Sequence, residues 1–100
     1  MAKGNFNSLI NQDKPLLVDF FATWCGPCQA VGPILKDVAN QVGEKVKIIK
    51  IDIDKNPALA NQFQVRAVPT MMLFQNGQVK WRQSGVAPAQ IILQEIQKIA

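Results

Sequence analysis

Residues 16–28 read LLVDFFATWCGPC, an apolar run from Leu16 to Phe21 broken only by Asp19 and followed closely by the pair Cys25 and Cys28. A short continuous apolar run suits a central strand covered on both faces. From Pro27 to Val42 the period changes. Val31, Ile34, Leu35, Val38 and Val42 recur at helical spacing, so the two cysteines stand where a buried strand hands over to an amphipathic helix. Pro33 lies inside that pattern and predicts a kink, while Gly43 falls where a helix C-cap belongs. A second apolar run, Val46 to Ile53 (VKIIKIDI), follows and also suits a strand covered on both faces. The strand–helix–strand crossover from Leu16 to Ile53 implies a parallel pair.

The remaining segments extend this frame. Asn56-Pro57 is an N-cap followed by proline, opening a short helix over Ala58 to Phe63. Thr70 to Phe74 (TMMLF) is a third strand, with Met71 and Met72 as core residues. Gln78 to Gln83 is a fourth, with Val79 and Trp81 on one face and Lys80 and Arg82 on the other. Asn76-Gly77 between them suits a type I′ hairpin. The tail from Pro88 to Ile99 carries Ile92, Leu93, Ile96 and Ile99 on one stripe, a last helix. The fold class is α/β: a mixed sheet flanked by helices on both faces, in one domain over residues 1–100.

Composition narrows the chemistry. The chain has 100 residues, 48% of them hydrophobic, with two Cys and no His or Tyr. That length suits one domain able to build a core without metal or disulfide staples. Without His there is no Cys/His zinc site and no Ser-His-Asp or Cys-His catalytic group, and two cysteines cannot complete a four-Cys site in one chain. The net charge of +4 is scattered and lacks the basic stripe with aromatics that nucleic-acid binders use. No apolar run approaches the ~20 residues of a membrane helix, and the start MAKGNFNSLINQDKP has no signal-peptide core. The expected location is cytoplasmic.

The cysteine pair then carries the function. Cys25 falls near a helix start, where free backbone N–H groups and the positive dipole end favour a thiolate. Cys28, three residues on, lies on the same side and within reach of a bond. A purely structural disulfide would close too small a loop to stabilise much. Half of an intermolecular metal or iron–sulfur site is the other alternative. A redox pair explains the Gly26-Pro27 insert and the helix-start position better than either.

Trp24-Cys25-Gly26-Pro27-Cys28, together with Val18-Asp19-Phe20, Pro33-Ile34-Leu35, Ile53-Asp54, Asn56-Pro57, Val68-Pro69-Thr70, Phe74-Gln75-Asn76-Gly77 and Gly85, resembles the thioredoxin family over nearly the whole chain. The resemblance implies a thioredoxin-like sheet and a thiol–disulfide oxidoreductase that reduces protein disulfides. It implies no bound cofactor or metal beyond a redox-active Cys25–Cys28 disulfide. Its implied partners are an NADPH-dependent thioredoxin reductase and disulfide-containing clients such as ribonucleotide reductase, peroxiredoxin or methionine sulfoxide reductase. A monomer is expected. Two departures stand out. Only Met1 to Asn5 remains to supply the family's N-terminal edge strand, which should be very short or missing. Phe21 stands where the family often has Trp.

Roles follow residue by residue. Cys25 is the expected nucleophile, holding the dipole advantage and, by resemblance, the exposed sulfur; Cys28 resolves the mixed disulfide. Asp19 has two readings, a solvated edge-strand acid or a buried carboxyl with a raised pKa. The resemblance favours the second, as proton acceptor for Cys28, with Lys50 as its partner. Pro69 resembles the family's cis-proline, against a trans proline that merely starts a strand. Trp24, Gly26, Pro27, Val68, Pro69 and Gly85 would form a shallow docking rim, extended by Val86 and Ala87.

Overall fold

Strand β1 (Leu16–Phe21) is buried along its length except for half-buried Phe21, as its unbroken apolar run requires. The computed structural model describes residues 3–100. Around β1 stand α1 (Lys3–Ile10), α2 (Cys28–Val42), a 3-10 turn at Gly43–Lys45, β2 (Lys47–Asp52), α3 (Pro57–Gln62), β3 (Thr70–Gln75), β4 (Gln78–Ser84) and α4 (Ala89–Ile99). The sheet order is β2-β1-β3-β4, with β1 parallel to β2 and antiparallel to β3, and β3 antiparallel to β4. Alternate residues of β1 serve two cores. Leu16, Val18 and Phe20 pack with Phe6 and Ile10 of α1 and Leu59 and Ala60 of α3. Leu17 packs on the other face with Val31, Leu35 and Val38 of α2 and Ile92 and Ile96 of α4. The mixed α/β sheet with helices on both faces is therefore as expected.

The punctuation residues behave as their chemistry dictates. Gly43 ends α2 at φ 57° and its N–H bonds the Ala39 carbonyl. Asn76 and Gly77 both adopt positive φ (53° and 79°), which the tight hairpin needs. Their N–H groups donate to the Gln12 and Ile10 carbonyls, so the hairpin tip also clips the end of α1. Helix α2 runs through Pro33 without interruption. Asn56 occupies the α3 N-cap position, but its side-chain amide donates to the Asp52 carbonyl and makes no cap bond into the helix.

Three expectations need correction or completion. The run Val46 to Ile53 does not form a central strand: β2 lies at the edge of the sheet, with Lys47 and Lys50 exposed and Ile48 and Ile49 half-buried. Its apolar residues feed both cores, which is why the run looks like a central strand. Val79 and Trp81 do not share a face. The pairing register shifts so that Phe74 opposes Val79 while Leu73 opposes Trp81, and the extra residue, Lys80, reverses the alternation. Trp81 packs with the α2/α4 core, whereas Arg82 turns to the α1/α3 side and donates to the Phe63 and Gln64 carbonyls. Finally, of the segment Met1 to Asn5, residues 1–2 lie outside the described residues and α1 begins at Lys3, leaving no N-terminal strand among the described residues. Helix α1 itself gives little periodic signal, because Gly4, Asn5, Asn7 and Ser8 are poor helix formers. Packing of Phe6 and Ile10 secures it.

Candidate active site

The C-terminal end of β1 delivers the chain through a tight turn to the start of α2, where Cys25 and Cys28 are joined as a disulfide with Cα atoms 5.4 Å apart. Pro27, at φ −60°, occupies the N-cap position, and Cys28 is the first helical residue. The Cys28 backbone N–H donates to Cys25 Sγ at 3.1 Å. An otherwise orphaned helix-start donor thus points at the Cys25 sulfur, and after reduction the same donor favours negative charge there. Cys25 Sγ also lies 3.6 Å from the Val68 carbonyl oxygen. The expected difference in exposure between the sulfurs is absent at residue level: Cys25 is 5% and Cys28 7% exposed. Packing against Ala22, Phe21, Ile53 and Val68 covers both in this bonded state.

Asp19 is fully buried on β1, and neither carboxylate oxygen has a hydrogen-bond partner. This removes the reading of a solvated edge acid. Burial pushes its pKa up to about 6 from 3.8, opposed in part by the Lys50 ammonium. Strand alternation places Asp19 on the face shared by Leu17 and Phe21, the side on which α2 packs. Lys50 is its register partner on β2, and its Nζ sits 4.8 Å from the centre of the Phe21 ring. No ion pair joins Lys50 to Asp19 among the described residues, so the coupling is through space.

The Val68–Pro69 peptide bond is cis, which decides between the two readings of Pro69. The loop it forms is tied down on both sides. Thr70 Oγ1 donates to the Ala67 carbonyl at 2.6 Å, and the Gly85 N–H donates to the Pro69 carbonyl at 2.8 Å. Gly85 holds φ +88° with no atom within 4 Å of a built Cβ, so an L-residue there meets conformational cost without a clash. Gly85→Ala is expected to lower stability by about 1 kcal/mol, measured by thermal unfolding of the oxidised protein.

Among the rim residues, Trp24 is 69% exposed, Gly26, Pro27 and Gly85 are exposed, Val68 is half-buried and Pro69 is buried beneath them. Val86 is exposed, but Ala87 is fully buried in the α2/α4 core and does not extend the rim. The residue that sequence reasoning left without a role is Asp54. Its Oδ2 accepts the Trp24 indole N–H at 2.8 Å and holds that exposed ring beside the cysteines. The strand register brings the two together: Phe21 pairs with Asp52, so the residues following each strand run side by side, which neither segment shows alone.

A disulfide set at a helix start, next to a cis-proline loop and a buried carboxyl, defines a dithiol–disulfide exchange centre. Among the described residues no cluster of three or more His, Cys, Asp or Glu offers a metal site. The thioredoxin family model matches residues 1–98, and the chain belongs to the thioredoxin family, whose members are protein-disulfide oxidoreductases. A thioredoxin-like protein of Synechocystis is 46% identical over 89 residues, covering 89% of this chain and 85% of that one. A bifunctional thioredoxin reductase/thioredoxin of Mycobacterium leprae is 40% identical over 94 residues, covering 94% of this chain and 20% of that one. The crystal structure of Malassezia sympodialis thioredoxin superposes with a TM-score of 0.88 at 33% identity, over 99% of this chain and 87% of that one. The chain spans little more than half the length of the chloroplastic thioredoxins Y it matches.

Proposed function

We propose that the protein works in the reducing direction, as a one-domain disulfide reductase for other proteins. The observation that carries this reading is the Cys25 sulfur, bonded to Cys28 and receiving the Cys28 N–H at the start of α2. In the reduced form the Cys25 thiolate attacks one sulfur of a client disulfide, and the other client sulfur leaves with the electron pair and takes up a proton. Cys28 then gives its proton to the Asp19 carboxylate and attacks Cys25 Sγ. The mixed disulfide breaks, the second client sulfur leaves as a thiol, and the Cys25–Cys28 bond re-forms. The client has gained two electrons and the protein has lost two. Lys50 draws the pKa of Asp19 down against its burial, and at about 6 the carboxyl is mostly ionised at neutral pH and can take the proton.

The rim of Trp24, Gly26, Pro27, Val68, Pro69 and Gly85 receives an extended client segment, which pairs with the Val68 backbone in the manner of an added strand. A thioredoxin reductase using NADPH returns the disulfide to the dithiol. The M. leprae relative, whose name joins the two activities in one chain, supports that partnership. The working form is a monomer in the cytoplasm or another reducing compartment. Addition of the protein to NADPH, a thioredoxin reductase and a disulfide-bonded reporter protein is expected to give steady NADPH oxidation matched by reporter thiols. Absence of turnover with reductases of several sources would overturn the reading.

Asp54 contributes by holding Trp24. Asp54→Ala removes a charge-assisted hydrogen bond worth about 1 kcal/mol. Reporter reduction is expected to slow about fivefold if that energy is used in docking, with a larger effect on KM than on kcat.

A further inference from the structure

Among the described residues the sheet ends at β2 with an open edge. Its only neighbour is β1, and no other strand of the described residues pairs with it. The Lys47 and Ile53 N–H groups point inward to the Pro15 and Phe21 carbonyls. Alternation therefore turns the N–H and C=O groups of Ile48 and Lys50 outward. Four main-chain groups are thus aligned to receive a strand, beside half-buried Ile48 and Ile49. Such an edge is a template for another chain unless its charges forbid it.

The charges select the occupant. Lys47 and Lys50 are exposed and lie on opposite faces of the strand, three residues apart. A second copy of this chain fits poorly. Every two-fold antiparallel register centred between Lys47 and Lys50 sets one of these lysines opposite, or diagonal to, the same lysine of the other copy, where like charges repel. An extended segment with acidic residues at a three-residue spacing meets both lysines and can use all four backbone groups. We propose that the β2 edge docks an acidic, extended segment of a partner protein by strand addition. This edge lies across β1 from the Val68–Pro69 loop, so such a partner leaves the cysteine rim open.

The test uses a capped hexapeptide with glutamate at its second and fifth positions and valine or threonine elsewhere, followed by residue-resolved amide exchange. Bound peptide is expected to slow exchange of the Ile48 and Lys50 amides about tenfold or more, with the amides of residues 24–28 unchanged. A peptide with lysines in place of the glutamates should give no protection. Lys47→Glu should weaken peptide binding about tenfold and leave reporter reduction within about twofold of the parent. Binding that leaves the Ile48 and Lys50 amides unprotected, or that is indifferent to Lys47→Glu, would overturn the proposal. So would protection without peptide that grows with protein concentration, since the occupant would then be a second copy.

Discussion

Cys28→Ser is expected to accumulate a stable mixed disulfide between Cys25 and a client, whereas Cys25→Ser is expected to give none and to lose reporter reduction by more than about a thousandfold. The asymmetry follows from the geometry. The Cys28 N–H points at Cys25 Sγ, so the helix start stabilises negative charge on Cys25 and makes it the better attacking and leaving sulfur. Cys28 begins the helix itself and has the buried carboxyl of Asp19 on the side of the sheet where α2 packs. Incubation of each variant with a disulfide-bonded reporter, followed by non-reducing electrophoresis, reads the outcome. If Cys25→Ser were the better trap, the roles of the two sulfurs would be reversed.

Asp19→Asn is expected to raise stability at pH 8 by about 2 kcal/mol and to change it little near pH 4. Burial raises the folded-state pKa of Asp19 to about 6, above its unfolded value of 3.8. Below about 3.8 both states are protonated and the residue has no net effect. Between 3.8 and 6 the folded state holds the proton more tightly, so stability falls as pH rises. Above about 6 the folded protein carries a buried anion without a hydrogen-bond partner, and the full destabilisation remains. Asn has no charge to bury but keeps an unsatisfied amide, which holds the expected gain below the value the whole shift would give. The same substitution removes the proton acceptor for Cys28, and resolution of the mixed disulfide should slow at pH 7. Denaturant unfolding across pH, paired with stopped-flow resolution rates, separates these two effects. A stability gain independent of pH would show that Asp19 does not titrate as described. Resolution rates unchanged from pH 6 to 9 would remove it from the mechanism.

Much of this site was legible in the chain because its signals are local. LLVDFF followed by a helical period places the cysteines at a strand-to-helix junction, and the same alternation places Asp19 with Leu17 and Phe21. The Asn76-Gly77 turn likewise needs only its own two residues. What escaped was non-local. The reversal of face between Val79 and Trp81 depends on how β4 slips against β3, which alternation within one strand does not reveal. The cis form of the Val68–Pro69 bond was indicated by the family resemblance and not by the residues alone, and Ala87 is buried by α4 and α2, beyond the reach of its own neighbours in sequence. Asp54 acquires its role only through parallel pairing of β1 with β2. Helix α1 is held by tertiary contacts that its polar composition does not announce.

The central claim is that Cys25 and Cys28 form a redox couple poised to donate electrons. Titration in glutathione buffers, followed by emission of the adjacent Trp24, tests it most directly. The account predicts one two-electron transition at a strongly reducing poise, abolished by Cys25→Ser. A transition at an oxidising poise, or thiols that stay free throughout, would contradict it.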